Sequence, residues 1–214
     1  MATTRIPLIP FLFSVAAVCM MEILIRVPLI GHPANALLFL GGVRLAETGA
    51  ILFSVWRCQH RIFPFGLAPK TLRTGVIQGL IWSSGFGSII LIGFTVCFLL
   101  AMDPLAWVRM PLPAGGTELM AFYLVGGIIG PIAEEFFFRG LIFGFFRRWG
   151  FWPAMVISTG IFVAAHLSGT RIPVIQLAGG VVFAVAYEKT GSLVTPIFIH
   201  VLGNLSIFTL ALVA

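Results

Sequence analysis

The sequence predicts an all-α fold, a polytopic bundle of transmembrane helices, and three observations carry that prediction. Of its 214 residues, 59% are apolar and only 9% charged, against roughly 25% charged in a soluble domain. The mean hydropathy is +1.09. The apolar runs are long and continuous, not the short alternating segments of a membrane β-barrel, so the backbone must satisfy its polar groups within helices. A spanning helix needs about 20 apolar residues. The length therefore allows six to eight spans, best read as seven, in a single transmembrane domain over residues 1–214.

The segments lie near 8–30, 34–56, 76–101, 119–146, 153–168, 172–188 and 192–213. The first follows Arg5 without a clear small-residue cleavage site, and it reads as a retained span and not as a signal peptide. The second and third are ordinary apolar runs. The fourth is too long for an upright span and contains Gly126, Gly127, Gly130 and Pro131, so a kink or a deep tilt is expected. Between 153 and 188 the interruption by Gly169, Arg171 and Pro173 leaves room for a re-entrant piece. The small-xxx-small pairs Gly75/Gly79, Gly126/Gly130 and Gly140/Gly144 fit close packing within one bundle better than dimerisation.

The formal net charge of +6 comes from basic residues in the loops, with no long basic face. The expected surroundings are a lipid bilayer, and no nucleic-acid partner is implied. With the N-terminus in the cytoplasm, the inner side receives Arg5, Arg57, Arg61, Lys70, Arg73, Arg147, Arg148 and Lys189, and the outer side Arg26, Arg109 and Arg171. That bias follows the positive-inside rule. Cys19, Cys58 and Cys97 are odd in number and widely spaced, and they are expected to be free thiols.

Ionised groups inside a span cost about 2.5–3.5 kcal/mol each on insertion scales, so they face the bundle interior and have partners or a task. Glu22 and Arg26 are four residues apart, and Arg44 and Glu47 three apart. Each pair can meet on one helix face, and a structural ion-pair network is the preferred reading over substrate docking. The second group is Glu134-Glu135-Phe136-Phe137-Phe138-Arg139. Glu135 can pair with Arg139 one turn on, whereas Glu134 projects about 100° away, which makes Glu134 the better general base. His166 follows Phe162 by four residues, and His200 precedes Asn204 by four. A lone histidine in an apolar helix is most often a hydrogen-bonded core residue. Two of them, one with an asparagine a turn away, and a doubled glutamate on a third helix point to a shared polar cavity. Such a cavity suits attack of water on a carbonyl: a carboxylate takes the proton, and histidine and asparagine donors stabilise the oxyanion. Ser158 shares a face with Phe162 and His166 but has no evident base, and it reads as a packing residue.

Together these residues resemble the CAAX prenyl endopeptidase type 2 and bacteriocin-processing family, also called CPBP or ABI. Its motifs Glu-Glu-x-x-x-Arg, Phe-x-x-x-His and His-x-x-x-Asn are matched by Glu134, Glu135 and Arg139, by Phe162 and His166, and by His200 and Asn204, in the family's order. Gly140 and the Thr190-Gly191-Ser192-Leu193 turn add to the likeness, which covers about residues 118–206. The resemblance implies an intramembrane endopeptidase of glutamate type without a cofactor. In it Glu134 and His166 activate water, and His200 and Asn204 form the oxyanion site. The expected partner is a membrane-associated protein or peptide, lipid-anchored, leader-bearing or carrying a C-terminal sorting tail. The short chain and compact loops favour a bacterial inner membrane and a non-prenylated substrate. Two alternatives stay open. Glu134, His166 and His200 make a zinc-like donor set, although there is no His-Glu-x-x-His helix and Asn204 is not an expected ligand. A non-catalytic scaffold or proton-coupled carrier can also use intramembrane Glu and His groups.

Overall fold

The computed structural model describes residues 6–25, 33–59, 64–167 and 173–214. Seven helices run through them: α1 Leu8–Ile25, α2 Pro33–Gln59, α3 Pro69–Leu99, α4 Gly116–Trp149, α5 Phe151–Ala165, α6 Val174–Thr190 and α7 Val194–Ala211. No strand occurs among the described residues. Each helix answers to one apolar segment of the sequence. The largest boundary difference is at α3, which begins at Pro69 and not near 76. Proline is well placed in a first helical turn, where its missing N–H has no partner to lose. The polar stretch Lys70–Thr74 therefore continues an apolar helix instead of forming the loop its composition suggests.

Among the described residues, four helical stretches are long and apolar enough to cross a bilayer: Asn35–Gln59, Pro69–Leu99, Gly116–Trp149 and Val194–Ala211. The exposed side chains of α3 include Ile89, Leu91, Ile92 and Leu99, a surface that only lipid accommodates. The chain is an integral membrane protein. α5 has 15 residues, or about 22 Å against a hydrocarbon core of about 30 Å, so its C-terminal end stops beside the middle of α4.

α4 is the irregular element, as its glycines and proline suggest. Its turns widen to i→i+5 bonding at Val125–Ile129 and again at Phe136–Phe143, a distortion found mostly at functional sites. α3 and α6 flank α7, α2 lies along α4, and α5 packs on the second widened segment of α4. Glycines serve these contacts within the chain, Gly75 and Gly79 both among them. A Cβ on Gly75 would stand 2.6 Å from Ser192 Oγ, one on Gly79 2.6 Å from Phe198 Cβ, and one on Gly127 2.7 Å from Leu205 Cδ2. Gly140 lies against the Phe65 ring.

One end of the bundle is tied together by its turns. Gly66 (φ +71) passes so close to Gly191 that a Cβ there would stand 2.0 Å from the Gly191 carbonyl oxygen. Leu193 N–H donates to Phe65 O at 3.0 Å. Arg147 donates to both oxygens of Glu188 at 2.8 and 2.6 Å. Arg148 donates to Ile6 O at 2.5 Å and lies 4.1 Å over the Phe145 ring. Arg57, Lys70, Arg73, Arg147, Arg148 and Lys189 all flank these turns. Arg5, Arg26, Arg61, Gly169 and Arg171, which the charge, ion-pair and re-entrant readings used, lie outside the described residues.

Candidate active site

The core of the site is an ion pair buried in the middle of the bundle. Glu135 and Arg139 lie one turn apart on α4, both side chains are fully buried, and Arg139 Nη1 donates to Glu135 Oε1 at 3.0 Å. The guanidinium is held on three further sides. Arg139 Nη2 donates to Gly180 O at 3.2 Å, and its carbon lies 4.6 Å from the Phe162 ring centroid and 5.0 Å from that of Phe183. Such cation–π contacts strengthen when water is excluded. Gly180 is required here: a Cβ would stand 2.8 Å from Thr159 Cγ2 and 3.5 Å from Arg139 Nη2.

Glu135 fixes the histidine of α7. His200 Nδ1 lies 2.9 Å from the same Oε1 that Arg139 holds. The partner is a carboxylate paired with arginine, so Nδ1 carries the proton and donates. Phe183 stacks on the His200 ring at 4.7 Å and 22°. The other ring nitrogen, Nε2, is thereby turned toward Glu134 Oε2, 3.7 Å away.

His166 reaches the same oxygen from a different element. It is the residue just past the end of α5, with φ −102° and ψ 4°. Its Nδ1 lies 2.8 Å from Phe162 O, one turn back. A carbonyl accepts only, so Nδ1 again carries the proton, and Nε2 faces Glu134 Oε2 at 3.8 Å. Both Nε2 distances exceed a hydrogen bond. The two imidazoles and the carboxylate converge on a common point and do not pair off. Glu134 Oε2 is buried without a hydrogen-bond partner among the described residues. The sequence motifs thus come together in space: Glu134, Glu135, Arg139, His166 and His200 form one constellation, with the two glutamates divided as their helical spacing predicts.

Asn204 stands one turn beyond His200 on α7 and is tied to α4. Its Nδ2 donates to Gly126 O at 3.0 Å. The reason lies in the widened turn. Gly130 N–H bonds to Val125 O, and the next residue, Pro131, has no N–H. That leaves the Gly126 carbonyl to the Asn204 side chain. Ser158 is buried and donates to Met155 O at 3.3 Å, a packing arrangement.

Sequence reasoning passed over Gly180 and Phe183, which it read only as part of a span; the Gly179-Gly180 pair followed by an aromatic one turn later was the available signal. It also did not foresee the contact of Glu22 with the second helix. In the structure Arg44 Nη1 bridges Glu22 Oε1 and, at 2.8 Å, Glu47 Oε2, joining α1 to α2. Glu134, His166 and His200 are donors that zinc accepts.

Comparison with known proteins agrees with the geometry. Residues 116–206 match the profile of the family described as Type II CAAX prenyl endopeptidase Rce1-like. The chain is 40% identical over 94 residues to the membrane-embedded CAAX protease MroQ of Staphylococcus aureus, a match covering 41% of this chain and 38% of that protein. It is 37% identical over 82 residues to the putative membrane peptidase YdiL of Bacillus subtilis, covering 38% and 33%. It is also 31% identical over 78 residues to an uncharacterized 24.3 kDa protein of Escherichia coli, covering 34% and 36%. These matches span only about a third of the relatives' own length. No solved structure matches. The matched region contains Glu134, Glu135, Arg139, His166, His200 and Asn204, and over that region the chain is similar to the Rce1-like CAAX protease family of membrane proteins.

Proposed function

We propose that this protein is an intramembrane endopeptidase of glutamate type that hydrolyses a peptide bond of a membrane-associated protein or peptide without a metal. The observation that supports it is the convergence of the His166 and His200 Nε2 atoms on Glu134 Oε2, at 3.8 and 3.7 Å. A water held among these three groups gives its proton to Glu134 as its oxygen attacks the substrate carbonyl. Neutral His166, whose Nδ1–H is fixed by Phe162 O, offers a lone pair at Nε2 to orient that water. The proton then passes to the leaving amine. His200, whose doubly protonated form Glu135 holds through Nδ1–H so that Nε2–H donates, and Asn204, whose amide has a second N–H beyond the one given to Gly126 O, stabilise the oxyanion. The substrate class we favour is a bacterial peptide bearing a leader or a C-terminal sorting tail.

The test is cleavage of a membrane-tethered reporter library by purified protein in lipid vesicles, with and without a strong chelator. The expected result is cleavage that survives the chelator, with no stoichiometric metal in the preparation. Loss of activity on chelation, restored by zinc, would replace the mechanism with a metal-assisted one. Proton flux without cleavage would favour the carrier reading.

We further propose that the end carrying Arg57, Lys70, Arg73, Arg147, Arg148 and Lys189 faces the cytoplasm of a bacterial inner membrane. A single cysteine placed between Arg57 and Arg73, with Cys19, Cys58 and Cys97 replaced, is expected to react with an impermeant thiol reagent only in inverted vesicles. Reaction in intact cells would reverse the orientation.

A further inference from the structure

A hydrolase inside a bilayer consumes one water per bond cleaved, and the hydrocarbon around it supplies none. We propose that Glu22, Arg44 and Glu47 line a hydrated passage between α1 and α2 that carries water to Glu134 from the end of the bundle opposite the basic turns. The proposal deepens the protease reading and rests on it.

Four observations support the passage. The three side chains run from the surface inward: Glu22 is 41% exposed, Arg44 23% and Glu47 5%, and Arg44 bonds to both acids. The inner end of this series is incomplete, because Glu47 Oε1 is buried with no hydrogen-bond partner among the described residues. A carboxylate oxygen left so in an apolar medium is strongly unfavourable unless water reaches it. Glu47 is also level with the site. α2 and α4 run the same way, and a Cβ on Gly41 would stand 2.9 Å from Val125 Cγ2 and 3.5 Å from Ile129 Cδ1. Six residues further along each helix, Glu47 comes level with Pro131–Glu135. Finally, the series holds two acids against one base, and Arg44 is already shared by both. A static ion pair needs one acid; the second is the one that faces inward.

The two ends of the passage are separated in depth. Glu22 lies in the last turn of α1 and Arg44 in the first half of α2, so the mouth opens away from the turns that carry the basic residues. Water reaching Glu134 this way enters from the side of the bundle opposite Arg57, Arg73 and Arg147.

The test does not depend on cleavage. In a background with Cys19, Cys58 and Cys97 changed to serine, Glu47→Cys and Leu45→Cys are each reconstituted in vesicles and exposed to a small hydrophilic methanethiosulfonate. Leu45 is a lipid-facing neighbour, 54% exposed, so bare accessibility ranks it first. Thiols react as thiolates, which form in water and not in lipid, so the passage predicts that Glu47→Cys reacts about tenfold faster or more. Adding Glu22→Leu and Arg44→Leu should abolish the difference. A Glu47→Cys thiol that stays unreactive in the folded protein, yet reacts after denaturation, would overturn the proposal whether or not the chain is a protease. Where cleavage is measurable, Glu47→Gln should keep most of the turnover. Glu47→Leu should lower kcat about tenfold with KM unchanged, since it closes the supply of water and not the binding of substrate. Equal kcat for the two variants would also overturn it.

Discussion

Glu134→Gln is expected to reduce cleavage by about 10²- to 10⁴-fold while leaving the folded protein in normal yield, because a positioned general base contributes that much to proton transfer. The amide fills the same volume and cannot take a proton from water. The Oε2 position it alters has no hydrogen-bond partner among the described residues, so no native bond is lost. Asn204→Ala should fall less far in rate, by about 10²- to 10³-fold, the loss typical of one oxyanion donor. It carries a second effect that Glu134→Gln lacks. Removing Asn204 strips the half-buried Gly126 carbonyl of its donor, and an acceptor left unsatisfied away from water costs about 1–3 kcal/mol. The pair of variants is therefore read on two axes, cleavage of a membrane-tethered substrate and thermal midpoint in detergent. Glu134→Gln should move only the first and Asn204→Ala both. Near-normal cleavage by Glu134→Gln would remove Glu134 as the base and require the mechanism to be rebuilt around another residue.

The parts of this site that were legible in the sequence are those set by local geometry. The separation of Glu134 from the Glu135–Arg139 pair follows from a 100° step on a helix, and the pair itself from one turn of spacing. The long fourth segment with Gly126, Gly127, Gly130 and Pro131 announced an irregular helix. What it did not announce was the form, two widened turns, or that Pro131 frees a carbonyl which Asn204 then occupies. Contacts between helices distant in sequence were illegible for a physical reason. In an apolar bundle every face is apolar, so periodicity does not say which face meets which neighbour. Gly180 and Phe183 looked like filler until α6 was seen against α4 and α7. For the same reason the contact of Glu22 with Arg44 on the next helix was not foreseen.

Arg139→Met alone is expected to prevent accumulation of folded protein, whereas Arg139→Met combined with Glu135→Gln should fold and remain inactive. The first half follows from burial. Both side chains are fully enclosed, and removing one partner of a buried pair leaves an uncompensated charge, at about 3–5 kcal/mol. That is a large part of the roughly 5–15 kcal/mol by which a domain is stable. Replacing both members by uncharged groups of similar volume removes the charges together, and such double replacements are often neutral for stability. The methionine also fills the space between the Phe162 and Phe183 rings that the guanidinium occupies. The second half follows from His200. With Arg139 in place, Glu135 is an ionised acceptor that fixes the Nδ1 proton and aims Nε2 at Glu134. A glutamine at 135 carries no charge and can accept through its oxygen or donate through its nitrogen, so it no longer holds the Nδ1–H or supports the positive charge that a donating Nε2 requires. The double variant should therefore recover yield and thermal midpoint without recovering kcat. Recovery of cleavage along with folding would show that the pair serves stability alone and that His200 finds its orientation from Phe183 stacking. Failure of the double variant to fold would place the stabilising role in the Arg139–Gly180 contact and not in the neutralisation of Glu135.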